Sequence, residues 1–135
     1  MIQRLQTIWL LLAAVLGFTT LKTSFYIGSI GTEPANHLTA MSTVWLMILT
    51  IVTATIATVS IFMFKNRPLQ LKLVLASILC SIIVSVLYFF ETGKYTVGGF
   101  ALTSLIVMAI PVLQILAAVA IYKDEKLVKS VDRLR

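Results

Sequence analysis

The sequence predicts an all-α fold, an integral membrane bundle of four transmembrane helices with both termini in the cytoplasm. Three observations predict it. The 135 residues are 59% hydrophobic and 12% charged, where soluble domains carry about 25% charge. The apolar residues gather into four runs, each near the roughly 20 residues that a helix needs to cross a bilayer. Most charges fall between or beyond the runs, and the basic ones concentrate on one side of the membrane.

The first span is expected at about residues 5–26. Its start, "MIQRLQTIWLLLAAVLGF", places Arg4 before an apolar core, as a signal peptide does. It lacks a small-x-small cleavage site, so it reads as an uncleaved span. The loop "GSIGTEPANHLTA" follows, broken by Gly28, Gly31 and Pro34. The second span is expected at about 41–64. A short basic connection, "KNRPLQLK", leads to the third at about 71–90, so these two form an antiparallel hairpin. Asn66 is placed to cap the third helix, and Pro68 suits its first turn, where the missing N–H has no helical partner. After the turn "ETGKYTVGG", the fourth span is expected at about 100–122. Pro111 removes a backbone hydrogen bond inside it and predicts a kink, static or hinged. A tail, residues 123–135, closes the single domain 1–135.

Charge sets the orientation. Of the eleven Lys and Arg residues, nine fall on one side of an even-span layout: Arg4, Lys65, Arg67, Lys72, Lys123, Lys126, Lys129, Arg133 and Arg135. Lys22 and Lys94 face Glu33 and Glu91 on the other. Excess positive charge marks the cytoplasmic side. Trp9 and Tyr122 fall at the inner boundary, and Phe25, Tyr26, Trp45, Tyr88 and Tyr95 toward the outer one. Lys22, near the end of its span, is expected to snorkel. The net charge of +6 therefore reports topology, and no nucleic-acid partner is expected.

Chemistry inside the spans is sparse. No cofactor is expected, and no metal: His37, the one histidine, has Glu33 and Asn36 nearby, short of the three or four strong ligands of a zinc site. Neither a catalytic triad nor a pair of intramembrane carboxylates is evident, so no enzyme activity is expected. Cys80 reads as a small core residue. Thr50, Ala54 and Thr58 recur at every fourth position, as do Thr53 and Ala57, and Ser77, Ser81 and Ser85. Ala13 and Gly17 add one step. That spacing puts small groups on one face for close helix contact. Gln114 is the most polar group deep in the fourth span, and its amide requires a partner in hydrocarbon. Gln114, Thr50, Thr53 and Ser81 are the intramembrane polar candidates, for packing or for a solute path.

The tail "KDEKLVKSVDRLR" has no proline or glycine, so span four is expected to continue as a helix. On that helix Leu127, Val131 and Leu134 form an apolar stripe, with Val128 at its edge. Lys126, Lys129 and Arg133 form a basic one, and Glu125 and Asp132 an acidic one. Glu125 precedes Lys129 by four, the favourable order for an ion pair. The pattern suits a helix on the membrane surface or docked on a protein.

Three segments, "MIQRLQTIWLLLAA", "NRPLQLKL" and "DEKLVKSVDRLR", together resemble a family of small four-span inner-membrane proteins typical of Bacteroidota and known only as a domain of unknown function. The resemblance spans essentially the whole chain. It implies a bacterial inner membrane and the four-span layout, with no activity, substrate or site residues. The expected partners are the lipid bilayer and either a membrane protein or further copies of the chain. The expected role is a non-catalytic accessory or scaffold subunit, with Arg4, Arg67, Lys126, Lys129 and Arg133 contacting lipid or partner and Leu127, Val131 and Leu134 docking the tail. The alternative is a small homo-oligomeric transporter or channel.

Overall fold

The computed structural model describes residues 2–135, with side chains from Arg4 onward. Four helices carry the fold: α1 (Ile2–Thr19), α2 (Val44–Phe62), α3 (Arg67–Thr92) and α4 (Ser104–Arg133). Helix α1 packs on α2 and α4, and α3 packs on the same two, so the four close into a ring. Both termini lie at one end of the bundle, with the 63–66 connection beside them. By length and composition, α2, α3 and α4 are long and apolar enough to cross a membrane, the mark of a membrane protein; the apolar helix Arg4–Thr19 is shorter.

Side chains are distributed inside out. Large apolar groups such as Val15, Ile48, Leu79, Ile82 and Val112 are exposed on the outside of the ring. Small and hydroxyl groups line the close helix contacts inside: Ala13, Ala54, Ala57, Ser77 and Ala117 are buried. Lipid is as apolar as leucine, so helices gain by close backbone approach and interhelical hydrogen bonds rather than by hiding large residues. A Cβ placed on Gly17 would stand 3.0 Å from Ala54 Cβ, which shows how tightly α1 meets α2.

The all-α expectation needs a correction. A three-stranded antiparallel sheet caps the end opposite the termini: β1 (Tyr26–Ser29) lies between β2 (Asn36–Leu38) and β3 (Val97–Phe100). Tyr26 pairs with both Leu38 and Phe100, and Gly28 with Gly98. Backbone bonds at either side extend the cap, from Phe25 N–H to Leu38 O (2.7 Å) and from Ala101 N–H to Phe25 O (3.0 Å). The Thr103 hydroxyl donates to the Ser24 carbonyl, tying the start of α4 to the chain that leaves α1.

Span boundaries shift accordingly. Helix α1 stops at Thr19 rather than near Tyr26, because Tyr26 and its neighbours are committed to the sheet. Helix α4 starts at Ser104, since Val97–Phe100 is strand. Helix α3 begins at Arg67, four residues earlier than expected, with Pro68 in its first turn; Asn66 holds the capping position without a side-chain cap bond. Phe25 and Tyr88 gather at the sheet end with Tyr26 and Tyr95 packed against them, buried rather than facing outward, and Cys80 is half-buried rather than core. Helix α4 is unbroken through Pro111 and onward to Arg133, so the tail is an in-line extension of the last helix.

Candidate functional site

The bundle interior is layered. An apolar cluster at the sheet end joins Phe25, Leu38, Leu46, Val84, Tyr88 and Val107. A second, toward the termini, joins Leu10, Val74, Ala117, Ala118 and Ile121. Between them the four polar candidates Thr50, Thr53, Ser81 and Gln114 are all buried.

Gln114 organises this layer. Its Nε2 donates to Ser77 Oγ at 2.7 Å, and Ser81 Oγ lies 2.8 Å from its Oε1. Ser81 has one proton and is also 2.8 Å from the Ile78 carbonyl, so the two acceptors share it. The Ser77 hydroxyl lies 3.4 Å from the Thr53 carbonyl. Thus α4 is bonded to α3, and α3 to α2, through one amide and two hydroxyls. Thr53 itself turns back to the Leu49 carbonyl at 2.8 Å. A second polar step lies nearer the termini, where Gln70 Nε2 donates to the Ser60 carbonyl at 3.0 Å.

Replacing Gln114 by leucine removes both ends of this arrangement at once and leaves two buried hydroxyls without it. Gln114→Leu is expected to lower stability by about 1–2 kcal/mol. Ser77 and Ser81 keep the Thr53 and Ile78 carbonyls as acceptors, so adding Ser77→Ala and Ser81→Ala should cost little more. Unfolding midpoints in a mild detergent check this; a triple variant far weaker than Gln114→Leu would contradict it.

The charged candidates lie at the terminal end. Arg67 Nη2 is 3.3 Å from Asp124 Oδ2, and both side chains are largely buried. This pair fastens the root of the tail to the start of α3. Sequence reading missed Asp124; its signal was an acid beside Glu125 at the foot of a basic segment, level with the basic connection before α3. Lys129 Nζ meets Glu125 Oε1 at 2.6 Å, the expected pair one turn apart. With Phe64, Lys65, Arg67, Pro68 and Val128, these two residues line a groove of about 750 Å³. Arg4 lies in a neighbouring recess with Gln6 and Phe64. Lys126 and Arg133 are exposed. So are Leu127, Val131 and Leu134, the last at 89%.

At the sheet end, Lys94 pairs with Glu91 at 2.9 Å, and Ser24 Oγ is 3.1 Å from His37 Nδ1. Burial, and then the Glu91 carboxylate, push the Tyr95 phenol up from its ordinary value. Lys22 is exposed in the turn after α1.

Four helices closed into a ring, three of them long and apolar enough to cross a membrane, define a small helical membrane protein. The chain belongs to the family described as "Domain of unknown function (DUF4293)", whose match covers residues 2–134. No curated protein and no solved structure matches the chain.

Proposed function

We propose that this protein is a non-catalytic accessory or scaffold subunit of a membrane assembly, seated in a bacterial inner membrane, of the kind found in Bacteroidota. In this reading all four helices span, with both termini cytoplasmic. Helix α1 has 18 residues, about 27 Å of rise against a hydrocarbon core of about 30 Å. The excess of Lys and Arg at the terminal end fits the cytoplasmic side.

The observation that carries the reading is the extension of α4. Its 30 residues rise about 45 Å, well beyond the membrane core. The part beyond Tyr122 keeps an exposed apolar stripe, Leu127, Val131 and Leu134, beside the exposed basic residues Lys126, Lys129 and Arg133. A positive anchor needs the charges but not the apolar stripe. A helix that continues unbroken to Arg133 and is rooted by Arg67 and Asp124 carries the stripe away from the bilayer core, which favours a protein partner for it and leaves Arg4 and Arg67 nearest the headgroups.

Reversing Lys126, Lys129 and Arg133 to glutamate should reduce recovery of the assembly by about tenfold or more, since like charges brought together at a complementary protein surface repel, while the four helices remain inserted. Gentle-detergent purification with mass spectrometry reads this out. Recovery of the wild-type chain alone across several detergents, or an assembly indifferent to the reversal, would sink the proposal.

A second reading, a small homo-oligomeric transporter or channel, is favoured by the polar layer of Thr50, Thr53, Ser81 and Gln114 inside the ring. Flux into proteoliposomes that Gln114→Leu abolishes would support it over the scaffold.

A further inference from the structure

Two hydroxyls in the interior are left over from the polar layer. Thr50 Oγ1 on α2 and Tyr88 Oη on α3 are fully buried and, among the described residues, bond to nothing. Buried polar groups without partners destabilise, so each observed case calls for an explanation. Thr50 and Tyr88 line the same small cavity, whose wall also includes Gly17, Thr20, Val107 and Ile110. The cavity measures about 20 Å³. One water requires about 10–15 Å³ on this measure, and an organic solute or hydrated ion requires far more. Size and lining therefore select one guest.

The other hydroxyls in the wall are already engaged. Thr20 donates to the Gly17 carbonyl at 2.6 Å, and Thr53 to the Leu49 carbonyl. Ser81 serves Ile78 and Gln114. The backbone of α4 offers a candidate third ligand. A helical carbonyl normally accepts from the N–H four residues on. For Val107 that residue is Pro111, which has no N–H. Val107 is in the cavity wall. A water needs two to four polar partners, and two hydroxyls with one released carbonyl meet that need.

We propose that this cavity is a binding site for a single long-lived water, which accepts from Thr50 and Tyr88 and donates to the Val107 carbonyl. The water joins α2, α3 and α4 on the sheet side of Gln114. It gives Pro111 a role as the residue that releases a ligand, independent of whether the protein is a scaffold or a transporter.

The test uses the full chain in lipid nanodiscs. NMR cross-relaxation should show a slowly exchanging water beside the Thr50 and Tyr88 side chains. Tyr88→Phe and Thr50→Val keep shape and should each weaken that signal severalfold; Pro111→Ala, which restores the donor to Val107, should do the same. In unfolding, the two hydroxyl substitutions should be coupled by about twofold or more in the equilibrium constant, the second costing less once the first is made. Absence of a bound-water signal in the wild-type chain overturns the proposal whatever the variants do. So does strict additivity of Thr50→Val and Tyr88→Phe.

Discussion

Phe25→Ala is expected to be the most destabilising single truncation in the chain, at about 3–5 kcal/mol, the range for removing a buried aromatic ring. Phe25 is 1% exposed. Its ring stacks on Tyr88 with centroids 4.4 Å apart and meets Phe89 and Phe100 edge-on, each at 5.8 Å. Three structural pieces therefore converge on one side chain: the chain leaving α1, the sheet end of α3 and strand β3. The backbone of Phe25 also bonds to Leu38 and Ala101, so the residue stays in place while its ring is removed, and a cavity forms that its neighbours fill poorly. Amide exchange should rise most in β1 and β3, where the cap opens locally, and around Gln114 by no more than the global loss of stability. Phe25→Leu should regain part of the stability. An unfolding midpoint unchanged by Phe25→Ala would show that the cap contributes nothing to the bundle.

How far this could be read in advance depends on how far apart the interacting residues lie. Helices α2 and α4 follow from long apolar runs, and the tail helix from a pattern with a period near 3.6 residues. The Glu125–Lys129 pair is one helical turn apart in sequence and was legible for that reason. Gln114 stood out because an amide deep in an apolar run must bond to something. The spacing of Ser77 and Ser81 marked a face of α3, but nothing in the spacing paired that face with Gln114. Arg67 and Asp124 belong to different helices, and each looks like ordinary boundary charge until the helices are packed. The sheet was least legible. Its strands have three or four residues, too few for an alternating pattern to emerge. Gly31 is the turn breaker it reads as, but Gly28 lies within β1 opposite Gly98, where a side chain would meet the facing backbone.

The terminal end and the sheet end answer different demands. At the terminal end the interior closes with polar groups and one ion pair, and the exposed helix beyond it carries the patterned surface. At the sheet end the connections between helices are drawn together by backbone pairing and aromatic contacts. Those connections, 20–43 and 93–103, are anchored on the bundle through Phe25, Leu38 and Tyr88. The water site lies between this cap and the polar layer, so the cap also shields a buried, hydrated joint from which three helices hang.

The second large effect is expected in that cap, at Gly98. Gly98 and Gly28 stand opposite each other in the β1–β3 pair. A Cβ at Gly98 would lie 2.5 Å from the Ile27 carbonyl oxygen and 2.6 Å from Gly28 Cα, both backbone atoms that no rotamer change can move. A Cβ at Gly28 would similarly lie 2.6 Å from the Val97 oxygen. Alanine at 98 must therefore push the two strands apart, breaking ladder bonds and tilting Tyr26 and Phe100, whose rings meet at 5.2 Å. Gly98→Ala should cost about 3 kcal/mol, the upper range for forcing a methyl into filled space. The neighbouring residue is the control. A Cβ at Gly99 meets nothing within 4 Å, so Gly99→Ala should fall within about 0.5 kcal/mol of wild type. The same strand, with the same substitution one residue apart, should give opposite results, because successive residues of a strand point to opposite faces. Thermal unfolding of the two variants, with proteolysis of the 30–35 turn as a probe of the sheet, measures the difference. Equal midpoints for Gly98→Ala and Gly99→Ala would mean that β1 and β3 are not held at this separation in the folded protein.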